Sequence, residues 1–168
     1  MSVEEHRARG TRSVGCAIVT VSDTRTAETD TSGAVTRDLL VQAGHRIVAQ
    51  AILPDEPDRV RAHVTELLDD PAIEAIFVNG GTGLSPRDTT YEAIAGLLDK
   101  RLDGFGELFR VLSYEQIGAA AMLSRAVAGV ARGTIVASMP GSTAAVELAM
   151  SKLLVPELGH MVKLARGA

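Results

Sequence analysis

Apolar runs that alternate with helical patterns constrain this chain more than any other feature. "VGCAIVTVS" (residues 14–22) is a continuous β-branched run, the pattern of a strand buried on both faces. "HRIVAQAILP" (45–54), "IEAIFVNGG" (73–81) and "GTIVASMPGS" (133–142) predict three more strands. Between them, "AVTRDLLVQAG" (34–44) has helical spacing through Val35, Leu39 and Leu40, with Gly44 as a C-cap. "EPDRVRAHVTELLDD" (56–70) starts near Pro57 and gathers Val60, Val64, Leu67 and Leu68 on one face. "TTYEAIAGLL" (89–98) predicts a helix with a threonine N-cap and Glu92 in its first turn. Two further helices are expected over 103–118 and 119–130, broken near Gly118, and a closing helix over 143–163 with a kink before Pro156.

This alternation predicts an α/β fold: a three-layer α/β/α arrangement with a mostly parallel sheet and helices on both faces. At 168 residues the chain fits one domain, expected over 14–168 behind a flexible segment at 1–13. Aromatics make up 3% and tryptophan is absent, so the core must be aliphatic. Net charge is −4, which leaves no electrostatic footprint for nucleic acid. No apolar run is long enough to span a bilayer, and the first residues carry no hydrophobic signal region, so a cytoplasmic protein is expected. The single cysteine, Cys16, lies inside the first apolar run as a small buried hydrophobe and excludes an intramolecular disulfide.

Right-handed crossovers put the carboxyl ends of the parallel strands on one edge. Four unusual stretches follow the four strands: Ser22-Asp23-Thr24-Arg25, Pro54-Asp55-Glu56, Gly80-Gly81-Thr82-Gly83 and Ser138-Met139-Pro140-Gly141-Ser142. All are therefore expected along the edge where doubly wound sheets bind ligands. The glycine stretch is not a Walker A loop, because no Gly-Lys-Ser/Thr follows. It is not a dinucleotide fingerprint either, because Pro86 stands where the third glycine belongs. Two readings stay open for it: backbone N–H groups that face an anion, or a tight turn needing positive φ. Asp88 precedes the helix at 89–98 and suits N-capping, while Asp55 suits a turn. Together, beside a phosphate cradle, the same two carboxylates suit Mg²⁺. Arg25, Arg87, Arg110 and Arg125 are the candidate cations; Thr31 and Ser32 read as capping residues. The four histidines form no His-x-x-x-His pair, and Ser124 and Ser138 lack a nearby histidine for hydrolase chemistry.

"TVSDTRTAETDTSG", "ILPDEPDRV", "GGTGLSPRDTTYEAI", "GFGELFRVLS", "LSRAVAGV" and "SMPGST" resemble, in order and spacing, the MoaB/Mog family of molybdenum cofactor biosynthesis proteins. The likeness runs over about residues 14–158 and is closer to the MoaB branch. It implies a molybdopterin-binding fold and Mg²⁺-dependent adenylylation of molybdopterin by ATP, with release of pyrophosphate. By position, Asp55 and Asp88 match the catalytic and metal-binding aspartates. Ser22, Asp23, Gly80, Gly81, Thr82 and Gly83 match the nucleotide and phosphate site. Gly106, Glu107, Arg110, Ser138, Pro140, Gly141 and Ser142 fall on the molybdopterin side. The family also implies a homo-oligomer, a trimer or hexamer; the net charge and the apolar runs lead to the expectation of no nucleic acid and no membrane partner. Tyr91 stands where relatives commonly have proline, which implies altered loop rigidity. The competing readings are a non-catalytic molybdopterin- or nucleotide-binding protein of the same fold, and an unrelated nucleotide-binding or structural domain.

Overall fold

The computed structural model describes residues 2–8 and 12–167. Part of the expected flexible lead-in lies outside these residues; the rest includes a six-residue helix, α1 (Val3–Ala8). The elements that follow are β1 (Gly15–Val21), α2 (Thr31–Gln42), β2 (Arg46–Leu53), α3 (Pro57–Asp69), β3 (Ala75–Asn79) and α4 (Thr90–Ala95). Then come β4 (Lys100–Arg101), α5 (Asp103–Ile117), β5 (Val127–Ala131), β6 (Thr134–Met139), α6 (Thr143–Ala149) and α7 (Val155–Ala165).

The six strands form one sheet in the order β2-β1-β3-β6-β5-β4. Strands β2, β1, β3 and β6 run parallel, and β5 and β4 extend the sheet with antiparallel pairings. The three central strands β1, β3 and β6 are buried at every residue, as continuous apolar runs demand. Side chains alternate between two cores. Cys16, Ile18, Phe77, Ala137 and Met139 meet Leu40 of α2, Phe105 and Phe109 of α5, Val146 of α6 and Leu158 of α7. Ala17, Val19, Val21, Ile76, Val78 and Val136 meet Val60 and Val64 of α3 and Ile94 of α4. Helices thus cover both faces, and the three-layer α/β/α expectation holds.

Two local expectations are corrected. The helix expected over 119–130 is a 3₁₀ stretch (Gly118–Leu123) followed by strand β5. Alanine-rich helix propensity suggested the wrong state for this segment; pairing with β6 supplies hydrogen bonds that propensity cannot see. The β5–β6 connection is a two-residue turn at Arg132 (φ 49°) and Gly133 (φ 77°), both left-handed as a type I′ hairpin requires. The two-residue strand β4 was likewise not expected; it is set by pairing of Lys100 and Arg101 with Val130 and Gly129. The closing helix runs on through Pro156 but departs from α geometry just ahead of it, where the kink was expected. Pro156 cannot donate to the preceding turn, and the backbone widens into a π-turn at Met150–Leu154 ahead of it. Among the described residues, no helix is long and apolar enough to cross a membrane.

Phe77 is 1% exposed at the centre of the sheet, whereas Leu84 in the glycine-loop region is 69% exposed. Phe77→Ala is expected to cost about 3–5 kcal/mol of unfolding free energy. Leu84→Ala should stay within about 0.5 kcal/mol of wild type, both read from urea midpoints at constant slope.

Candidate functional site

Strand β1 lies between β2 and β3. The chain leaves β1 over one face through α2 and returns to β3 over the other through α3. Such a reversal opens a crevice outside the carboxyl ends of the strands. Gly80 sits in it with φ 100°, and a Cβ there would lie 2.2 Å from the Val21 carbonyl oxygen. Only glycine lets the end of β3 pass this close to β1. On its other side, the Gly80 N–H donates to the Met139 carbonyl at 3.0 Å, and Gly141 packs against the Gly80 Cα. Three strand ends therefore meet at one glycine.

Gly81 (φ 67°) turns the chain onward. A Cβ at this position would lie 2.1 Å from Thr90 Oγ1 and 2.9 Å from Asp55 Oδ2. Asp88 Oδ2 stands 2.6 Å from where a Cβ at Gly83 would be. Asp55 and Asp88, distant in sequence, thus flank the same glycine loop. Of the two open readings of that loop, the tight turn is seen at Gly80 and Gly81. The positive φ values are required, and among the described residues none accepts a hydrogen bond from the N–H groups of Gly81, Thr82, Gly83 and Leu84. A row of unengaged N–H groups is what an anion-binding concavity requires. Asp88 is not the helix cap. Thr89 occupies the N-cap position of α4, and the Asp88 carboxylate accepts from the Ser85 N–H at 3.2 Å.

A third carboxylate closes the group. Asp23 accepts the Arg87 fork at 2.8 and 3.0 Å and also the Asp55 N–H at 3.0 Å. The Arg87 hydrogen bond is the main reason its pKa falls to about 2, with the Asp55 N–H adding to it. Asp55 moves the other way. Burial raises its pKa, and the charges of Asp88 and Asp23 add to the rise against the hydrogen bonds from Thr89. Ser22 Oγ accepts the N–H groups of Thr24 and Arg25 at 3.2 and 3.1 Å, shaping the β1 edge. The Arg25 guanidinium reaches Thr31, Ser32 and the Gly141 carbonyl, tying that edge to the end of β6. Asp30, not Thr31 or Ser32, caps α2 through the Gly33 N–H; Ser32 instead donates to Gly141 at 2.7 Å.

The residues expected on the molybdopterin side divide. Gly141 lies at the glycine loop, and Ser142 follows it as the cap of α6, accepting the Ala145 N–H at 3.2 Å. Pro140 joins them to β6. Ser138 is fully buried, and its hydroxyl has no partner among the described residues. Gly106, Glu107 and Arg110 line a neighbouring cleft of about 140 Å³ with Tyr91, Arg101 and Val127. The Arg110 guanidinium lies over Gly106, 3.1 Å from where a Cβ would stand, so glycine leaves room for that cation. Tyr91 is the wall between cleft and loop. Its ring lies 5.0 Å from the Arg125 guanidinium carbon, and its hydroxyl accepts from Arg101 at 3.1 Å. Sequence reasoning missed the place of Arg125. Considered as a phosphate cation, it is turned toward carbonyls and Glu92. Its misassigned segment carried no signal of this.

The opposed pKa shifts have opposite consequences for stability. Asp55's raised pKa makes its charged form a burden that grows as pH rises above 3.8, so Asp55→Asn should melt higher than wild type at neutral pH. That advantage should vanish below 3.8. Asp23's stabilising share is complete above 3.8 and lost as pH falls through about 2. Calorimetric melting across this range checks both signs.

Residues 17–160 match the family model described as "Probable molybdopterin binding domain". Over 164 residues the chain is 51% identical to molybdenum cofactor biosynthesis protein B of Halalkalibacterium halodurans, covering 97% of this chain and 96% of that one. The same protein of Bacillus subtilis is 51% identical at the same coverage. In structure, the tungsten cofactor synthesizing protein MoaB of Pyrococcus furiosus superposes with a TM-score of 0.83 at 34% identity, covering 92% of this chain and 98% of that one. The Mog protein of Mycobacterium ulcerans superposes with 0.81 at 25% identity, covering 94% and 100%. The matched span contains every strand end of the crevice, and this chain belongs to the molybdopterin-binding family of molybdenum cofactor biosynthesis proteins, on its MoaB branch.

Proposed function

We propose that the protein adenylylates molybdopterin with ATP and Mg²⁺, giving adenylylated molybdopterin and pyrophosphate. One observation carries this reading: the same crevice sets two aspartates against a row of four unengaged N–H groups. A crevice of carboxylates alone would repel a polyphosphate, and one of N–H groups alone would need no acids. Both are useful together when a cation and phosphates share the space.

The donor set fits Mg²⁺. Asp55 and Asp88 are hard oxygen ligands, and Asp55 sits in a field of like charges that a cation relieves. Among the described residues, no group of three or more His, Cys, Asp or Glu side chains could hold a metal by itself. This suits an ion that binds through one or two carboxylates and completes its shell with phosphate oxygens and water. When bound, Mg²⁺ supplies neutralisation of phosphate charge.

The protein's own groups bind and orient. In the reaction, a terminal phosphate oxygen of molybdopterin forms a bond to the α-phosphorus of ATP. The bond from that phosphorus to the α,β-bridging oxygen breaks, and its electron pair leaves with pyrophosphate. The nucleophile is already an anion, so no residue need remove a proton from it. The N–H groups of Gly81 to Leu84 face the phosphates, while Asp23 holds Arg87 and the Asp55 backbone in place. Gly106, Glu107 and Arg110 form the wall on which the pterin rests, with Gly141 and Ser142 at its junction with the loop.

The deciding experiment is pyrophosphate release from ATP and Mg²⁺, with and without molybdopterin. Release that requires molybdopterin, and that falls by about 10²–10³-fold in both Asp55→Ala and Asp88→Ala, supports the reading. Molybdopterin binding by wild type without pyrophosphate release would instead identify a non-catalytic binding protein.

A homo-oligomer is the second part of the proposal. Leu108, Val111, Tyr114 and Ile117 recur at intervals of three along α5, all more than half exposed, and Met122 continues the apolar surface. Val111→Asp combined with Ile117→Asp should convert an assembled wild type to monomer in sedimentation velocity runs. A monomeric wild type would refute this part.

A further inference from the structure

Arg125, two residues before β5, contacts five residues of the segment around the glycine loop. Its Nε donates to the Thr82 carbonyl at 2.9 Å and its Nη2 to the Gly83 carbonyl at 2.8 Å. A longer bond of 3.4 Å reaches the Asp88 carbonyl, and the remaining face of the guanidinium pairs with Glu92. The Tyr91 ring supports it from one side. Every part of the fork is engaged within the protein, so this arginine is turned away from any ligand in the crevice.

The consequence follows from peptide geometry. In a trans peptide unit the C=O and the next residue's N–H point in opposite directions. Holding the Thr82 carbonyl toward Arg125 turns the Gly83 N–H away from it. Holding the Gly83 carbonyl does the same for the Leu84 N–H. The adjoining unit is fixed from the other side of the loop, because the Thr90 N–H donates to the Gly81 carbonyl at 3.0 Å and so orients the Thr82 N–H. Three successive peptide units are thereby set. Glycine at 81 and 83 allows many backbone orientations, and nothing within the loop selects one.

We propose that Arg125, seated on Tyr91 and paired with Glu92, is a positioning residue. It draws the loop carbonyls to one side and thereby presents the N–H groups of Gly83 and Leu84 to the phosphates of the nucleotide. This rests on the adenylylation reading for the identity of the ligand; the orientation of the loop does not depend on it. The pterin cleft is served by other residues, so loss of Arg125 acts on one substrate only. Lysine cannot replace it, because one ammonium cannot span two carbonyls while stacking on a ring.

The test compares wild type, Arg125→Ala, Arg125→Lys and Tyr91→Leu. Arg125→Ala is expected to weaken Mg-ATP, and inorganic pyrophosphate as a nucleotide-free probe, by about 100-fold. Molybdopterin affinity should stay within about twofold of wild type, because an effect confined to the loop leaves the cleft intact. Hydrogen exchange of peptides spanning 80–90, which contain the bonded amides of Ser85, Asp88 and Thr90, should quicken by about tenfold or more. Low concentrations of guanidinium should recover part of the Mg-ATP affinity of Arg125→Ala, and Arg125→Lys should recover little. Unchanged exchange over 80–90, or equal weakening of both substrates, would overturn the proposal. If Arg125→Ala does not fold, Tyr91→Leu decides. Loss of the ring under the guanidinium should weaken Mg-ATP by about fivefold, and no change would overturn it. A wild type that binds no Mg-ATP sinks the adenylylation reading, while pyrophosphate binding and exchange still judge the clamp.

Discussion

The close approach of three strand ends at Gly80 is the constraint on which the rest depends. The end of strand β3 passes within contact of the Val21 carbonyl, donates a hydrogen bond from the Gly80 N–H to the Met139 carbonyl, and touches Gly141 of the β6 end. A side chain at 80 would push β3 from β1, and with it everything β3 delivers. The loop at 81–84 is placed against Asp55 because β2 pairs with β1 in parallel, in constant register from Ala17 opposite Ala49 to Val21 opposite Leu53 after a one-residue shift between Cys16 and Ala17. Asp88 is placed because the loop ends there. The crevice is a product of register and backbone proximity before it is a product of side chains.

Electrostatics then works against the fold at the same point. Asp23, Asp55 and Asp88 crowd one edge of a chain whose net charge is already −4. The structure answers this unequally. Asp23 is neutralised by the Arg87 fork, whereas Asp55 is left with hydroxyl and backbone donors only and a raised pKa. A carboxylate kept under such strain lowers stability, and the cation proposed above would relieve it. The surrounding arginines do not serve as free charges. Arg25, Arg87 and Arg125 are each committed to carbonyls, hydroxyls or carboxylates.

Much of this was legible in the sequence because the central strands are buried on both faces and so read as unbroken apolar runs. The edge residues at 22–25, 54–56, 80–83 and 138–142 followed from those runs and from the handedness of crossovers. The region after Gly118 was not legible. Its alanines favour a helix locally, while the state of 127–131 is set by pairing with β6 across a turn of only two residues. That error hid Arg125, since a residue on a helix surface and a residue at the head of a strand face different neighbours. Ser138 shows a different limit: its position in the chain put it at the edge, but strand alternation buries its side chain.

Tyr91 joins these threads. A proline just inside the start of α4 would fix φ there and stiffen the loop through the backbone. Here the position is tyrosine, and the stiffness has another source. Its ring supports the guanidinium that holds Thr82 and Gly83, and its hydroxyl takes a hydrogen bond from Arg101 in the wall of the cleft. The loop is therefore restrained through side chains that also border the neighbouring site. Tyrosine restrains the loop through Arg125 instead, with a ring whose own position is held from the cleft side by Arg101.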